Sequence, residues 1–271
     1  MRPPRSRAPS PPAAALPPPG GRGPPRAARA GAARSKRAGA VLAGVIETTT
    51  NKVIERARAA ARQGADALVA TAPFYTRTHA TETDRHFRLI AAAVDLPLFA
   101  YDIPVCVHSK LDRSLVMSLA IDGVLAGVKD SSGDDVSFRR LAIELRAVPG
   151  FALLTGHEVV VDAMLLGGAD GCVPGLGNVD PHGYRRLQAA ADRGDWAAAR
   201  TEQDRLAELF DIVSVADPAD SSGTAAGIGA FKTALRARGV IAHNTVSPPM
   251  RHLNEQEARA ITGILDRAGL M

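Results

Sequence analysis

Lys129 is the residue of this sequence whose type and position most invite chemistry. The chain uses 28 arginines and only five lysines: Lys36, Lys52, Lys110, Lys129 and Lys232. Lys129 closes the apolar run Val124-Leu125-Ala126-Gly127-Val128. Arginine keeps its charge, whereas an amine that gives up its proton can attack a carbonyl and form a Schiff base. The ordinary alternative is a strand-end lysine that snorkels or pairs with a carboxylate. Tyr101 ends the previous apolar run, 28 residues earlier, which is the length of one strand–helix unit. Strand ends one unit apart are neighbours at the mouth of a parallel barrel, so the phenol and the amine should face each other. Schiff-base chemistry needs such a group to carry protons. A lone tyrosine would otherwise read as a core or rim aromatic.

The elements that would position this pair follow from hydrophobic period. Short apolar runs at Val41–Ile46, Ala67–Ala72, Pro97–Ile103, Val124–Val128, Phe151–Thr155 and Gly171–Pro174 alternate with segments of helical period. The helices are expected over 52–63, 80–93, 112–120, 134–147 and 158–167. Beyond Asn178 the pattern is almost wholly helical, over 181–193, 195–214, 224–238 and 254–269. Strands alternating with helices predict a parallel sheet covered by helices. Polar groups gather at the C-terminal ends of the runs, where parallel α/β folds carry their catalytic groups. Neither G-x-G-x-x-G after the first run nor G-x-x-x-x-G-K-[ST] is present, so a (β/α)8 TIM-barrel type is favoured over a nucleotide-binding doubly wound sheet.

Charge is unevenly placed. The chain has 33 basic and 28 acidic side chains, net +5. Residues 1–40 hold nine of the basic groups, no acidic group and 10 of the 19 prolines, which leaves 41–271 at net −4. The leader reads as a disordered Pro/Arg/Ala-rich segment, because it cannot bury enough apolar surface to offset its chain entropy. A transit peptide, a nucleic-acid arm and an extension without a folded role all fit its composition. Ten prolines oppose the amphipathic helix of the first, and no interleaved aromatic supports the second. The expected organisation is therefore leader 1–40, catalytic barrel core 41–180 and a helical part of the same domain over 181–271. Two cysteines, Cys106 and Cys172, exclude a disulfide scaffold and a four-cysteine zinc site. No apolar run approaches the ~18 residues that a membrane span needs.

The succession Thr71-Ala-Pro73-Phe74-Tyr75, Leu96-Pro-Leu-Phe-Ala-Tyr101-Asp-Ile-Pro104, Gly127-Val-Lys129-Asp-Ser-Ser-Gly133, Leu154-Thr-Gly156-His-Glu158 and Gly167-Gly-Ala-Asp-Gly171 resembles the dihydrodipicolinate synthase/N-acetylneuraminate lyase family. Its order is more specific than any one motif, and the resemblance covers about 41–240. The family comprises class I, pyruvate-type aldolases on a (β/α)8 barrel with a helical C-terminal extension. The resemblance implies Lys129 as the Schiff-base lysine and Tyr101 as the acid/base phenol. It implies Tyr75 as the tyrosine that crosses a dimer interface to complete a proton relay. It implies Gly156 and Val173 as backbone positions lining the 2-oxo-acid pocket. On their own, Tyr75 is a loop aromatic and Gly156 a turn glycine. The implied protein is a cytoplasmic, cofactor-free homo-oligomer that binds a small 2-oxo acid and neither metal, nucleic acid nor membrane.

Two departures qualify the expectation. The family's first two βα units and their Gly-Thr-Thr-Gly-Glu loop have no counterpart, and Thr48-Thr49-Thr50 matches the following strand. An incomplete barrel of about six units is expected, with exposed sheet edges that an oligomer would cover. The arginine that dihydrodipicolinate synthases carry two residues past the proline is replaced by Cys106, which argues against aspartate semialdehyde as the acceptor. The leading reading is a class I aldolase or related lyase on a pyruvate-derived 2-oxo acid. The rival is a truncated, catalytically impaired member acting only as an oligomeric or non-enzymatic protein. His157 and Glu158 read equally as an acid/base pair or polar rim, Gly175-Leu-Gly177-Asn178 as an anion cradle or a loop closure, and Lys110 and Lys232 as surface or helix-end charges.

Overall fold

A computed structural model describes residues 39–271. The expected leader lies outside the described residues except for its last two positions. The strands are β1 (Leu42–Gly44), β2 (Ala67–Thr71), β3 (Leu98–Asp102), β4 (Gly127–Asp130), β5 (Ala152–Thr155) and β6 (Gly171–Cys172), ordered in the sheet as in the chain. The helices are α1 (Thr50–Arg62), α2 (Ala80–Ala93), α3 (Arg113–Ile121), α4 (Asp135–Glu144), α5 (Val161–Leu166), α6 (Pro181–Asp192), α7 (Trp196–Phe210), α8 (Gly223–Ala237) and α9 (Glu255–Arg267). The chain forms two compact units. One runs to Leu154 and includes Gly168–Asp170; the other holds Thr155–Gly167 and Gly171–Met271.

In the first unit β1 to β4 pair in parallel, with Leu42 opposite Ala67, Leu68 opposite Leu98, and Tyr101 opposite Lys129. Their near-continuous apolar runs suit strands buried on both faces. Alternation puts Ala67, Val69, Phe99, Tyr101, Gly127, Lys129 and Ala152 on one face, where Ala67, Phe99 and Ala152 form a buried cluster. The other face carries Leu68, Ala70, Leu98, Ala100 and Val128, all buried. The helices bury one stripe each: Val53 and Ala57 on α1, Phe87 and Ile90 on α2, Leu115, Val116 and Leu119 on α3, Phe138 and Leu141 on α4.

β4 begins three residues later than its apolar run predicts. The amides of Val124 and Leu125 donate to the Leu119 carbonyl at 2.9 and 3.2 Å, so they still close the end of α3. That displacement brings Lys129 into the strand itself. Gly127 is required there: a Cβ would stand 2.4 Å from the Phe99 ring and 2.6 Å from the Ala152 carbonyl oxygen. A side chain of any size would push β4 away from the ring that floors the face carrying Tyr101 and Lys129.

The second unit is mostly helical. Asp180 caps α6, accepting from the Gly183 amide at 2.9 Å, with Pro181 at the first helical position. Asp195 caps α7 in the same way. A reciprocal Asn254–Glu257 capping box starts α9. The long helix expected over 195–214 is regular to Phe210 and ends in the 3-10 turn Asp211–Ser214.

Candidate active site

Tyr101 and Lys129 meet as the spacing predicts. They are register partners at the ends of β3 and β4, and the Lys129 Nζ donates to the Tyr101 Oη at 3.2 Å. The same nitrogen lies 4.3 Å from the ring centroid, within cation–π range. Both side chains are half-buried, which leaves the amine reachable from solvent while the ring and the cluster below it restrict its motion. An amine and a phenol in hydrogen-bond contact can form an imine and move the protons that imine formation requires.

Behind this pair lies a second charged group that the sequence did not disclose. Asp102 follows Tyr101 and Asp130 follows Lys129, so alternation turns both carboxylates to the opposite face. They are 2% and 5% exposed, and Lys110 pairs with both. Each carboxylate also caps backbone: Asp102 accepts from the Leu111 amide at 3.1 Å and Asp130 from the Ser132 amide at 2.8 Å. Lys110 is therefore a half-buried bridging cation and not the surface or helix-end charge expected. The repeated arrangement, an aspartate after each of the two candidate residues, was the available signal. At the end of β2 the buried His86 ring bridges the Thr71 carbonyl, 3.2 Å from Nε2, and the Thr50 hydroxyl, 2.9 Å from Nδ1. Burial lowers its pKa to about 4, against the raising effect of the Thr71 carbonyl, so the ring is neutral at neutral pH.

Tyr75, on the loop after β2, has a left-handed φ of 73° and is 94% exposed. A positive φ is costly for an aromatic residue and marks a loop held in shape for a reason. Cys106 is exposed on the helical turn Pro104–Val107, followed by His108 at φ 56°. Among the described residues no His, Cys, Asp and Glu side chains group as metal ligands would.

In the second unit Gly156 follows β5, and Val173, 45% exposed, donates its amide to the Thr155 carbonyl at 2.8 Å. Glu158 resolves the two open readings of this stretch together. Its carboxylate accepts from the Gly175 and Leu176 amides at 2.6 and 3.0 Å, so the anion that the glycine turn cradles is the protein's own. The Tyr184 hydroxyl donates to the Glu158 carbonyl at 2.9 Å and stands 3.4 Å from its carboxylate. Burial and that carboxylate push the Tyr184 phenol far above its ordinary range and the Cys172 thiol up to about 11, so neither ionises near neutrality. Gln203 completes the cluster, accepting from the Val161 amide at 2.7 Å and donating to the Glu158 carbonyl at 3.2 Å.

The model of the dihydrodipicolinate synthetase family matches residues 33–268. The chain belongs to that family. An uncharacterised DapA-like lyase of Halobacterium salinarum is 33% identical over 231 residues, 85% of this chain and 72% of the relative. The 4-hydroxy-tetrahydrodipicolinate synthase of Rhodopseudomonas palustris is 31% identical over 235 residues, 85% of this chain and 74% of the relative. Among solved structures, YagE, a prophage protein of this family from E. coli K12 in complex with pyruvate, superposes with a TM-score of 0.82 at 26% identity. It covers 90% of this chain and 80% of that one. The fold is thus an α/β fold of the TIM-barrel type.

Proposed function

We propose that this protein is a Schiff-base lyase acting on a pyruvate-derived 2-oxo acid. The observation that carries the reading is the 3.2 Å contact between the Lys129 amine and the Tyr101 hydroxyl at opposed strand ends. The amine attacks the keto carbon C2 and the carbinolamine loses water; as the 4-hydroxyl gives up its proton the C3–C4 bond breaks, its electron pair passes to the protonated imine as an enamine, and protonation at C3 with hydrolysis releases pyruvate and the free amine. Tyr101 moves the protons of these steps. Tyr75 extends the relay from a second subunit, and the backbone at Gly156 and Val173 lines the substrate pocket. Support comes from the family membership, the pyruvate complex of YagE and the exposure of Tyr75.

Several finer features belong to the same reading. The acceptor is not aspartate semialdehyde, because Cys106 offers no charge to a second carboxylate. The protein works without a cofactor, as a cytoplasmic homo-oligomer; no helix among the described residues is long and apolar enough to cross a membrane. An incomplete barrel of about six βα units belongs to the same reading, in keeping with the six strands of the described residues. That short barrel also favours a second reading, a catalytically impaired member that acts only as an oligomer. A coupled assay for pyruvate release from a panel of 4-hydroxy-2-oxo acids separates the two. The first reading predicts turnover of at least one, and none of aspartate semialdehyde with pyruvate. Absence of turnover across the panel supports the second.

A further inference from the structure

The contrast between the two faces of β3 and β4 points to a residue outside the reaction that the reaction depends on. We propose that Lys110 is a positioning residue: its bridge between Asp102 and Asp130 fixes the ends of β3 and β4 against each other and thereby sets the contact between Tyr101 and Lys129. The catalytic part of this inference rests on the function proposed above; the structural part does not.

The geometry leaves little slack. Asp102 and Asp130 are register partners, one residue beyond the Tyr101 and Lys129 register pair, so the two pairs move together. Two carboxylates on adjacent strands, both nearly excluded from water, repel each other strongly unless a cation lies between them. Lys110 supplies it from outside the strands, and the bridge is tied at both ends. The Leu111 amide, next to Lys110, donates to Asp102, and the Ser131 amide, next to Asp130, donates to the Asp102 carbonyl at 2.8 Å. Burial raises the Asp102 pKa against the pull of Lys110. Burial opposes the charge on Lys110 too, but the two carboxylates more than offset it, and its pKa stands above the ordinary value. On the other face the support is apolar: the Phe99 ring with Ala67 and Ala152, and Val69, Ala126 and Leu154 packed against them. Tyr101 and Lys129 therefore inherit their separation from the backbone, and the backbone is fixed from behind.

The test uses the full-length protein and the variants Lys110→Met, Lys110→Arg and Asp130→Asn. The first readout needs no activity: the rate at which acetic anhydride labels Lys129, by peptide mass spectrometry, relative to the exposed Lys52 in the same sample. The second is kcat against KM for pyruvate release. Lys110→Met should change the Lys129/Lys52 labelling ratio by about 3-fold or more and lower kcat by roughly 10- to 100-fold, with a smaller change in KM. Lys110→Arg, which keeps the charge, should recover part of both, and Asp130→Asn should shift both less than Lys110→Met does. Adding Tyr101→Phe should shrink the effect of Lys110→Met on labelling, because the two would act on one contact. A lower melting temperature with wild-type labelling ratio and kcat would overturn the proposal, since Lys110 would then only stabilise. Should Lys110→Met fail to fold, the same comparison is made with Lys110→Arg and Asp130→Asn. Should the wild type lack turnover, the proposed function fails while the labelling ratio still decides the bridge.

Discussion

Two tyrosines in this molecule face charged partners, and they do opposite things. Tyr101 stands half-buried at a strand end beside the Lys129 amine, whose proposed imine chemistry requires a proton to be moved. Tyr184, on α6, is 5% exposed beside the Glu158 carboxylate, and burial holds its phenol protonated, donating permanently to the Glu158 carbonyl. The sign of the partner and access to solvent, not the residue type, separate a reacting group from a structural pin. Glu158 shows the same rule from the acid side: its carboxylate is committed to two backbone amides and a phenol, so it serves as a clamp on the turn that precedes α6.

The comparison can be broken by substitution. The largest effect is expected from Lys129→Ala, which should cut turnover by at least about 10³-fold while leaving the circular dichroism spectrum unchanged, because it removes the amine proposed to form the imine. Next, Tyr101→Phe should lower kcat by about 10²- to 10⁴-fold, yet still leave Lys129 able to form an imine. Tyr184→Phe should do the reverse. It removes one of the two donors to the Glu158 carbonyl, Gln203 being the other, so denaturant unfolding should register a loss of about 0.5–1.5 kcal/mol with little change in kcat. Equal losses of kcat for the two Tyr→Phe variants would abolish the distinction.

The smallest effect concerns acid. The His86 pKa is about 4 in the folded chain and 6.5 otherwise, so the unfolded chain takes up its proton first as pH falls. Its contribution to stability is complete above pH 6.5 and is lost progressively towards pH 4. A thermal melt series should show that slope in the wild type and a shallower one in His86→Gln. An unchanged slope would show that a ring bound to two neutral oxygens, unlike Tyr184 beside a carboxylate, does not resist ionisation by burial.

The Lys129–Tyr101 pair was legible in the sequence for a simple reason. One βα unit separates them, and in a parallel sheet that separation fixes adjacency. The strand carrying Lys129 was misplaced by three residues because an apolar run does not reveal that Val124 and Leu125 are still closing α3. Lys110 was read as a surface or helix-end charge because its partners lie 8 and 20 residues away and are defined only by the face to which alternation turns them. Glu158 was ambiguous for the same reason: its partners at Gly175, Leu176 and Tyr184 come from the far side of a strand and a turn. Periodicity reports which elements form and which face is apolar; it carries no information on which buried charges find each other.

The central claim, that Lys129 is the imine-forming amine, is tested most directly by borohydride reduction of the protein in the presence of pyruvate, followed by peptide mass spectrometry. The account predicts one reduced pyruvyl adduct, on Lys129, absent from Lys129→Ala and retained in Tyr101→Phe. A well-folded wild-type sample with no adduct, or with the adduct on Lys110 or another lysine, would contradict it.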